Sequence, residues 1–146
     1  MNQVQAVAEQ VINVPVAQVR AAVADYAGVR GKILTSHYRD YAVRSGGAGA
    51  GTVVHWTLQA TEKRVRDCLV EVSEPQPDVL VESDRNSTLI STWTVQGSDG
   101  SSTVRVVTTW EGANGIGGFF ERIFAPAGLR RIHGELLANL KRELEG

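Results

Sequence analysis

The chain has 146 residues, of which 42% are hydrophobic and 21% charged, with a formal net charge of −1. Its scattered basic residues give no electrostatic footprint for nucleic acid, and Cys68, the one cysteine, excludes an internal disulfide and a cysteine-based metal site. The N-terminal stretch MNQVQAVAEQ lacks the features of a signal peptide and no segment approaches the ~18 apolar residues of a membrane span, so we expect a cytoplasmic protein without stable membrane insertion.

The first elements are predicted to be one strand followed by helix. Residues 3–14 alternate between apolar and polar side chains, which is typical of a half-buried strand. Pro15 ends that strand and is well placed to open a helix over residues 16–27, where apolar side chains recur at helical spacing. A second short helix or turn is predicted over residues 30–34.

Six further strands are predicted between residues 37 and 111, because period-two alternation returns there. Pro75 and Pro77 are expected to end the third of them, and Gly97-Ser98-Asp99-Gly100 is a hairpin signal before the last. Short loops between successive strands favour an antiparallel meander. The predicted ranges are 37–44, 52–59, 62–73, 78–83, 88–95 and 103–111.

The last element is an amphipathic helix over residues 126–145, roughly 28 Å long at about 1.5 Å per residue. A single apolar face of that length needs a broad partner, so we expect the helix to lie across the sheet. The result is one α+β domain over residues 1–146, with a space between its two layers. The apolar stripe is formed by Leu129, Ile132, Leu136, Leu140 and Leu144.

Five stretches of the sequence resemble the SRPBCC superfamily, which includes START-related, polyketide cyclase/dehydrase-like and birch-pollen-allergen-like proteins. This resemblance implies a helix-grip fold: a curved antiparallel sheet of six to seven strands around a long C-terminal helix, with two short helices after the first strand. The fold would enclose an apolar cavity. The stretches are INVPVAQV with the following ADY (residues 12–26), residues 49–58, residues 71–81, the last hairpin, and LLANLKRELE (residues 136–145).

Motifs for cofactors and for common catalytic chemistries do not occur. The glycine-rich loops at 46–51 and 112–118 match neither a P-loop nor a dinucleotide fingerprint; we interpret the first as a hairpin turn and the second as a hinge or a lid over the cavity mouth. The three histidines lack metal-ligand spacing, and there is no Gly-x-Ser-x-Gly elbow. No metal, nucleotide or other cofactor is therefore expected, and no catalytic residue can be assigned.

Aromatic residues are the better guide to a ligand site, because small-molecule pockets are mostly apolar with a few polar contacts. Ordinary core packing explains the same residues, and His133 is most simply a structural histidine. Alternation places His55 and Arg105 outside, and Asp25 is expected to end or orient a helix. The candidate ligand-binding residues are Tyr41, Trp56, Ser91, Trp93, Thr108, Trp110, Phe119, Phe124 and His133.

The main functional hypothesis is binding of a small hydrophobic or amphipathic molecule, such as a lipid or a polyketide-like compound, between the sheet and the C-terminal helix. One alternative is an enzyme of the cyclase/dehydratase type, which would need a positioned acid or base in the pocket. Another is a protein-interaction module with a vestigial cavity, which would need an exposed apolar patch. The oligomeric state is left open.

Overall fold

A computed structural model of the protein describes residues 3–111 and 126–146. These residues form seven strands and three helices. The strands are β1 (Gln3–Ile12), β2 (Tyr38–Ser45), β3 (Val53–Thr61), β4 (Arg64–Gln76), β5 (Val79–Asp84), β6 (Ile90–Gly97) and β7 (Ser102–Glu111), and the helices are α1 (Val16–Val23), α2 (Val29–Lys32) and α3 (Pro126–Glu145).

All seven strands belong to one antiparallel sheet with the order β1-β7-β6-β5-β4-β3-β2. Strands β2 to β7 form a meander, and β1 joins its far edge by pairing with β7 over ten residues, from Gln3 opposite Glu111 to Ile12 opposite Ser102. The predicted helix-grip layout is confirmed, with seven strands, two short helices after β1 and a long C-terminal helix.

Helix α3 buries the predicted apolar stripe against the sheet. Leu129, Ile132, Leu136 and Leu140 are at most 3% exposed, and each buried side chain of this kind stabilises the fold by roughly 1.5–3 kcal/mol. The C-terminal end of α3 is tied to β1, because the Lys141 ammonium donates to the Val11 carbonyl at 3.1 Å. The helix therefore lies across the inner face of the sheet, with its C-terminal end held against β1.

Two predicted boundaries were wrong by more than two residues. Helix α1 ends at Val23 rather than near residue 27, because the Asp25 carboxylate accepts hydrogen bonds from the backbone of Gly28 and Val29 and so starts α2. Strand β4 continues through Pro75 to Gln76. Proline is tolerated there because the β4–β5 register shifts beyond Ser73, so a regular ladder bond is not required of it.

The β2–β3 and β6–β7 connections are both turns that contain glycine. Gly46 has φ of 70°, and a side chain there would come within 2.9 Å of the Thr52 backbone. The predicted β6–β7 hairpin is present, closed by a 2.9 Å bond from the Ser98 amide to the Ser101 carbonyl. The second glycine-rich loop, residues 112–118, which was interpreted as a lid, lies outside the described residues.

Candidate functional site

The centre of the candidate site is a buried ion pair between Arg30 of α2 and Glu82 of β5. The guanidinium and the carboxylate are 2.7 Å apart, and their side chains are only 5% and 4% exposed. Burial, the largest single influence, would lower the pKa of Arg30, but the attraction of Glu82, the hydrogen bond to it and the neighbouring Tyr26 and Tyr41 together outweigh burial and raise the pKa, so the arginine stays charged. The ion pair is therefore held inside the protein.

Neighbouring groups form further hydrogen bonds with this pair. Glu82 Oε2 also accepts the Tyr26 hydroxyl at 2.6 Å, and its Oε1 accepts the Trp93 indole N–H at 2.9 Å. Arg30 donates to the Val23 carbonyl at 2.9 Å and stacks over the rings of Trp93 and Tyr26, 4.1 and 4.6 Å from their centres. These contacts fix the orientation of both charged groups.

An aromatic wall stands beside the ion pair. Tyr41 stacks on Trp56 with a 6° angle between the rings, and Tyr38 meets the same indole edge-on at 6.0 Å. The Tyr41 hydroxyl donates to the Tyr26 carbonyl at 2.6 Å, which joins the wall to the ion-pair cluster. Burial raises the pKa of Tyr41 to about 12, so its hydroxyl stays protonated and can donate.

A bulge in β2 places Tyr41, since the register with β3 shifts between Arg39 and Ala42 and Asp40 adopts φ of 55°. His55 supports the bulge from the other face of the sheet, with Nδ1 at 2.8 Å from the Asp40 carbonyl and Nε2 at 2.6 Å from the Asp67 carboxylate. The hydrogen bond to Asp67 is the main reason that the pKa of His55 is raised. The His55 side chain lies on the outer face of the sheet, as predicted from alternation.

A chain of hydroxyl groups connects the sheet to α3. Ser91 and Thr108 are opposite each other in the β6–β7 ladder and share a 2.8 Å hydrogen bond, and the Thr108 hydroxyl lies 3.4 Å from His133 Nδ1. Burial lowers the pKa of His133 to about 4, so its imidazole is neutral at neutral pH. This histidine is a potential hydrogen-bonding group for the interior, not a charge.

These groups surround a pocket between the sheet and α3. Its free volume for water-sized molecules is about 20 Å³, roughly enough for one water molecule. Polar groups, aromatic rings and aliphatic side chains all contribute to its lining. The lining residues are Arg30, Leu34, Tyr38, Tyr41, Trp56, Glu82, Trp93, His133 and Leu136.

The predicted site residues divide into four groups. Tyr41, Trp56, Trp93 and His133 line the pocket, while Ser91 and Thr108 lie behind His133 in the hydroxyl chain. Trp110 is buried in β7 but is not among the lining residues. Phe119 and Phe124 lie outside the described residues.

Sequence reasoning missed the charged centre of the site. It also missed Tyr26 and Tyr38 beside it. A signal for Glu82 was available, because it shares the inward parity of Leu80 on β5. No comparable signal marks Arg30, since its helix is only four residues long.

Across residues 3–111 and 126–146, no helix is long and apolar enough to cross a membrane. The same residues contain no group of three or more histidine, cysteine, aspartate or glutamate side chains arranged to hold a metal ion.

An antiparallel sheet gripping a long C-terminal helix, with a polar cluster buried between them, defines a helix-grip protein. The profile of the family described as polyketide cyclase / dehydrase and lipid transport matches residues 3–145, and the chain belongs to that family. This confirms the predicted superfamily.

Solved structures of the same fold include one protein of high sequence similarity. The KanY protein, determined by NMR, is 52% identical over the full length of both chains, with a TM-score of 0.90. Major latex-like protein 151 from Panax ginseng is 10% identical over 99% of each chain, with a TM-score of 0.74. The Zhui aromatase/cyclase from Streptomyces sp. R1128 is 10% identical over 99% of this chain and 94% of its own, with a TM-score of 0.73. No protein with curated annotation matches.

Proposed function

We propose that the protein binds a small aromatic or amphipathic molecule between the sheet and α3. The observation that carries this proposal is the buried Arg30–Glu82 pair, which faces the pocket beside the aromatic wall. Removing two charges from water is costly, and apolar residues of similar volume often stabilise a core better. A role in a ligand site accounts for charged groups at this position, and the family's association with polyketide chemistry and lipid transport supports it.

The chemistry of the lining favours a planar ring with a polar substituent over a long alkyl chain. Tyr38 and Trp56 offer ring edges and faces for stacking. Within the described residues the Tyr38 hydroxyl makes no hydrogen bond, so it is available to a ligand hydroxyl or carbonyl. His133, on the α3 side of the pocket, is a second side chain that can form a hydrogen bond with a ligand. A polyketide-like aromatic ring fits these features.

The size of the pocket sets a condition on binding. Sites for drug-sized ligands usually exceed about 300 Å³, far more than the roughly 20 Å³ present here. A ring must therefore displace side chains, and Leu34 is suited to this because it is only half-buried. The free energy needed to open the pocket reduces the apparent affinity.

Calorimetric titration with 2-naphthol tests this function. Leu34→Trp should block the pocket and weaken binding tenfold or more, while Val65→Trp, an equal change at an exposed position on β4, should leave it intact. Tyr38→Phe should weaken 2-naphthol about two- to tenfold through loss of one hydrogen bond. No binding by the wild-type protein, or equal binding by all variants, would refute the proposal.

A second candidate function is proton transfer of the cyclase/dehydratase type, which is favoured by His133 lining the pocket on the end of the hydroxyl chain. A general base works best with a pKa near the working pH, whereas burial holds the pKa of His133 at about 4. Binding is therefore the better supported function. Turnover of a polyketide substrate that is lost in His133→Asn, with 2-naphthol binding retained, would favour catalysis instead.

The protein-interaction alternative has no support among the described residues. Their large exposed hydrophobic side chains are Val11, Val65 and Ile90, which lie on three different strands. Val11 pairs with Thr103 and Ile90 with Thr109, six positions apart along β7. Scattered apolar side chains of this kind are normal for a protein surface.

A further inference from the structure

A second cavity lies under α1, at the end of β5 and β6, and no residue of α3 lines it. Its free volume is about 200 Å³, ten times that of the inner pocket. The floor consists of Val23, Leu80, Trp93 and Val95, all of them buried apolar side chains. A preformed apolar cavity of this size can hold a single six-membered ring, since about 150 Å³ is enough for benzene.

The cavity arises from an irregularity in the sheet. The β4–β5 register shifts between Ser73 and Gln76, at the end of the hairpin that forms one wall. The β5–β6 ladder begins with Val79 opposite Thr94, so the Val95 carbonyl lies beyond it. Arg20 of α1 donates two hydrogen bonds to that carbonyl, at 3.3 and 3.2 Å, and its side chain thereby forms the opposite wall of the cavity.

The charged groups around the cavity favour a cation. Glu74 and Asp78 of the β4–β5 hairpin both line it, and Glu74 is exposed. The one basic residue of the lining, Arg20, keeps its charge but is held against the Val95 carbonyl, and the two carboxylates outnumber it. We propose that this cavity is a binding site for a small arylalkylamine, with the ring on the apolar floor and the ammonium group near the two carboxylates.

Trp93 is a shared wall between this cavity and the inner pocket. Its indole N–H is bonded to Glu82 in the ion-pair cluster. Occupancy of the cavity should therefore shift the NMR signal of the Trp93 indole N–H, although the ligand does not enter the space under α3. This site goes beyond the proposed function, because none of its charged residues lines the inner pocket.

A titration of ¹⁵N-labelled protein with phenethylamine tests the site, with 2-phenylethanol as the uncharged counterpart. Amide shifts should concentrate at Ala21, Ala24 and Val79, together with the Trp93 indole N–H, and phenethylamine should bind at least threefold more tightly than the alcohol. Shifts confined to Leu34, Tyr38 and His133 would place the ligand in the inner pocket and overturn the proposal. Equal affinity for the two probes would overturn the cationic class of ligand.

Two sets of variants complete the test. Glu74→Gln with Asp78→Asn should abolish the preference for the amine, while the matched surface pair Glu62→Gln with Glu143→Gln should retain it. Ala21→Leu, at an exposed position of the lining, should fill the cavity and weaken phenethylamine at least fivefold while 2-naphthol binding is unchanged. Unaltered phenethylamine affinity in both cavity variants would show that the ligand binds elsewhere.

Discussion

Glu82 accepts the indole N–H of Trp93 at 2.9 Å, and this contact links the buried ion pair to the boundary between the two cavities. The second oxygen of the same carboxylate is shared by Arg30 and Tyr26. Each member of the cluster thus depends on the others for its hydrogen bonds. Removal of one member should leave a buried polar atom of another member without its partner, which is a costly way to disturb such a group.

Arg30→Met should lower the free energy of unfolding by about 3–5 kcal/mol, because it leaves the Glu82 carboxylate buried without its counter-charge. Urea denaturation at pH 7 measures this. The double variant Arg30→Met with Glu82→Leu removes both charges and should recover much of the loss. A double variant less stable than Arg30→Met alone would contradict this account.

Leu136→Ala should lower the free energy of unfolding by about 2–5 kcal/mol, as expected when a fully buried leucine is truncated. The control is Arg130→Ala on the exposed side of α3, which should change stability by less than about 0.5 kcal/mol. Thermal or urea unfolding compares the two. Equal effects would mean that α3 is not held to the sheet by its apolar stripe.

Much of the fold was predictable because alternation in a strand directly records which face is buried. Trp93 and Trp110 were placed on the inner face by that rule, and both are at most 2% exposed. The end of β4 was not predictable, since tolerance of Pro75 depends on a register shift with a neighbouring strand. Local sequence carries no information about that pairing.

The candidate site was predictable only in part, for a similar reason. Parity identifies Glu82 as inward-facing, but its partner Arg30 is 52 residues away in a short helix without periodicity. Tyr41 was a predicted site residue and lines the pocket, yet its position depends on the bulge at Asp40. Contacts between residues distant in the chain thus decide the polar part of the site.

The support that His55 gives to the β2 bulge should weaken as the pH rises through the raised pKa of this histidine. Both of its partners, the Asp40 carbonyl and the Asp67 carboxylate, are acceptors, so both ring nitrogens donate only when the imidazole is protonated. The pKa of His55 is raised in the folded state, so this stabilisation is complete below about pH 6.5 and is lost as the pH rises through the raised value.

NMR measurement of the His55 titration and of amide exchange at residues 40–42 checks this prediction. Exchange, corrected for its intrinsic pH dependence, should accelerate above the measured pKa of His55. Asp67→Asn should move that pKa down towards its ordinary value. A bulge whose corrected exchange is the same on both sides of the titration would show that His55 does not hold it.

His133 should make the protein less stable in acid. Its pKa is lowered to about 4 by burial, against about 6.5 in the unfolded chain, so the unfolded state binds the proton more readily. The corresponding stability is present in full above about pH 6.5 and is lost as the pH falls to about 4, a difference on the order of 3 kcal/mol.

Urea unfolding of the wild-type protein and of His133→Asn between pH 4 and pH 7 measures this contribution. Asparagine can still bond the Thr108 hydroxyl but does not titrate, and other acidic groups contribute equally to both proteins. The wild-type protein should therefore lose stability relative to the variant as the pH falls below 6.5. A constant difference between them over this range would mean that His133 accepts a proton without cost, and that the imidazole is in contact with water in the folded protein.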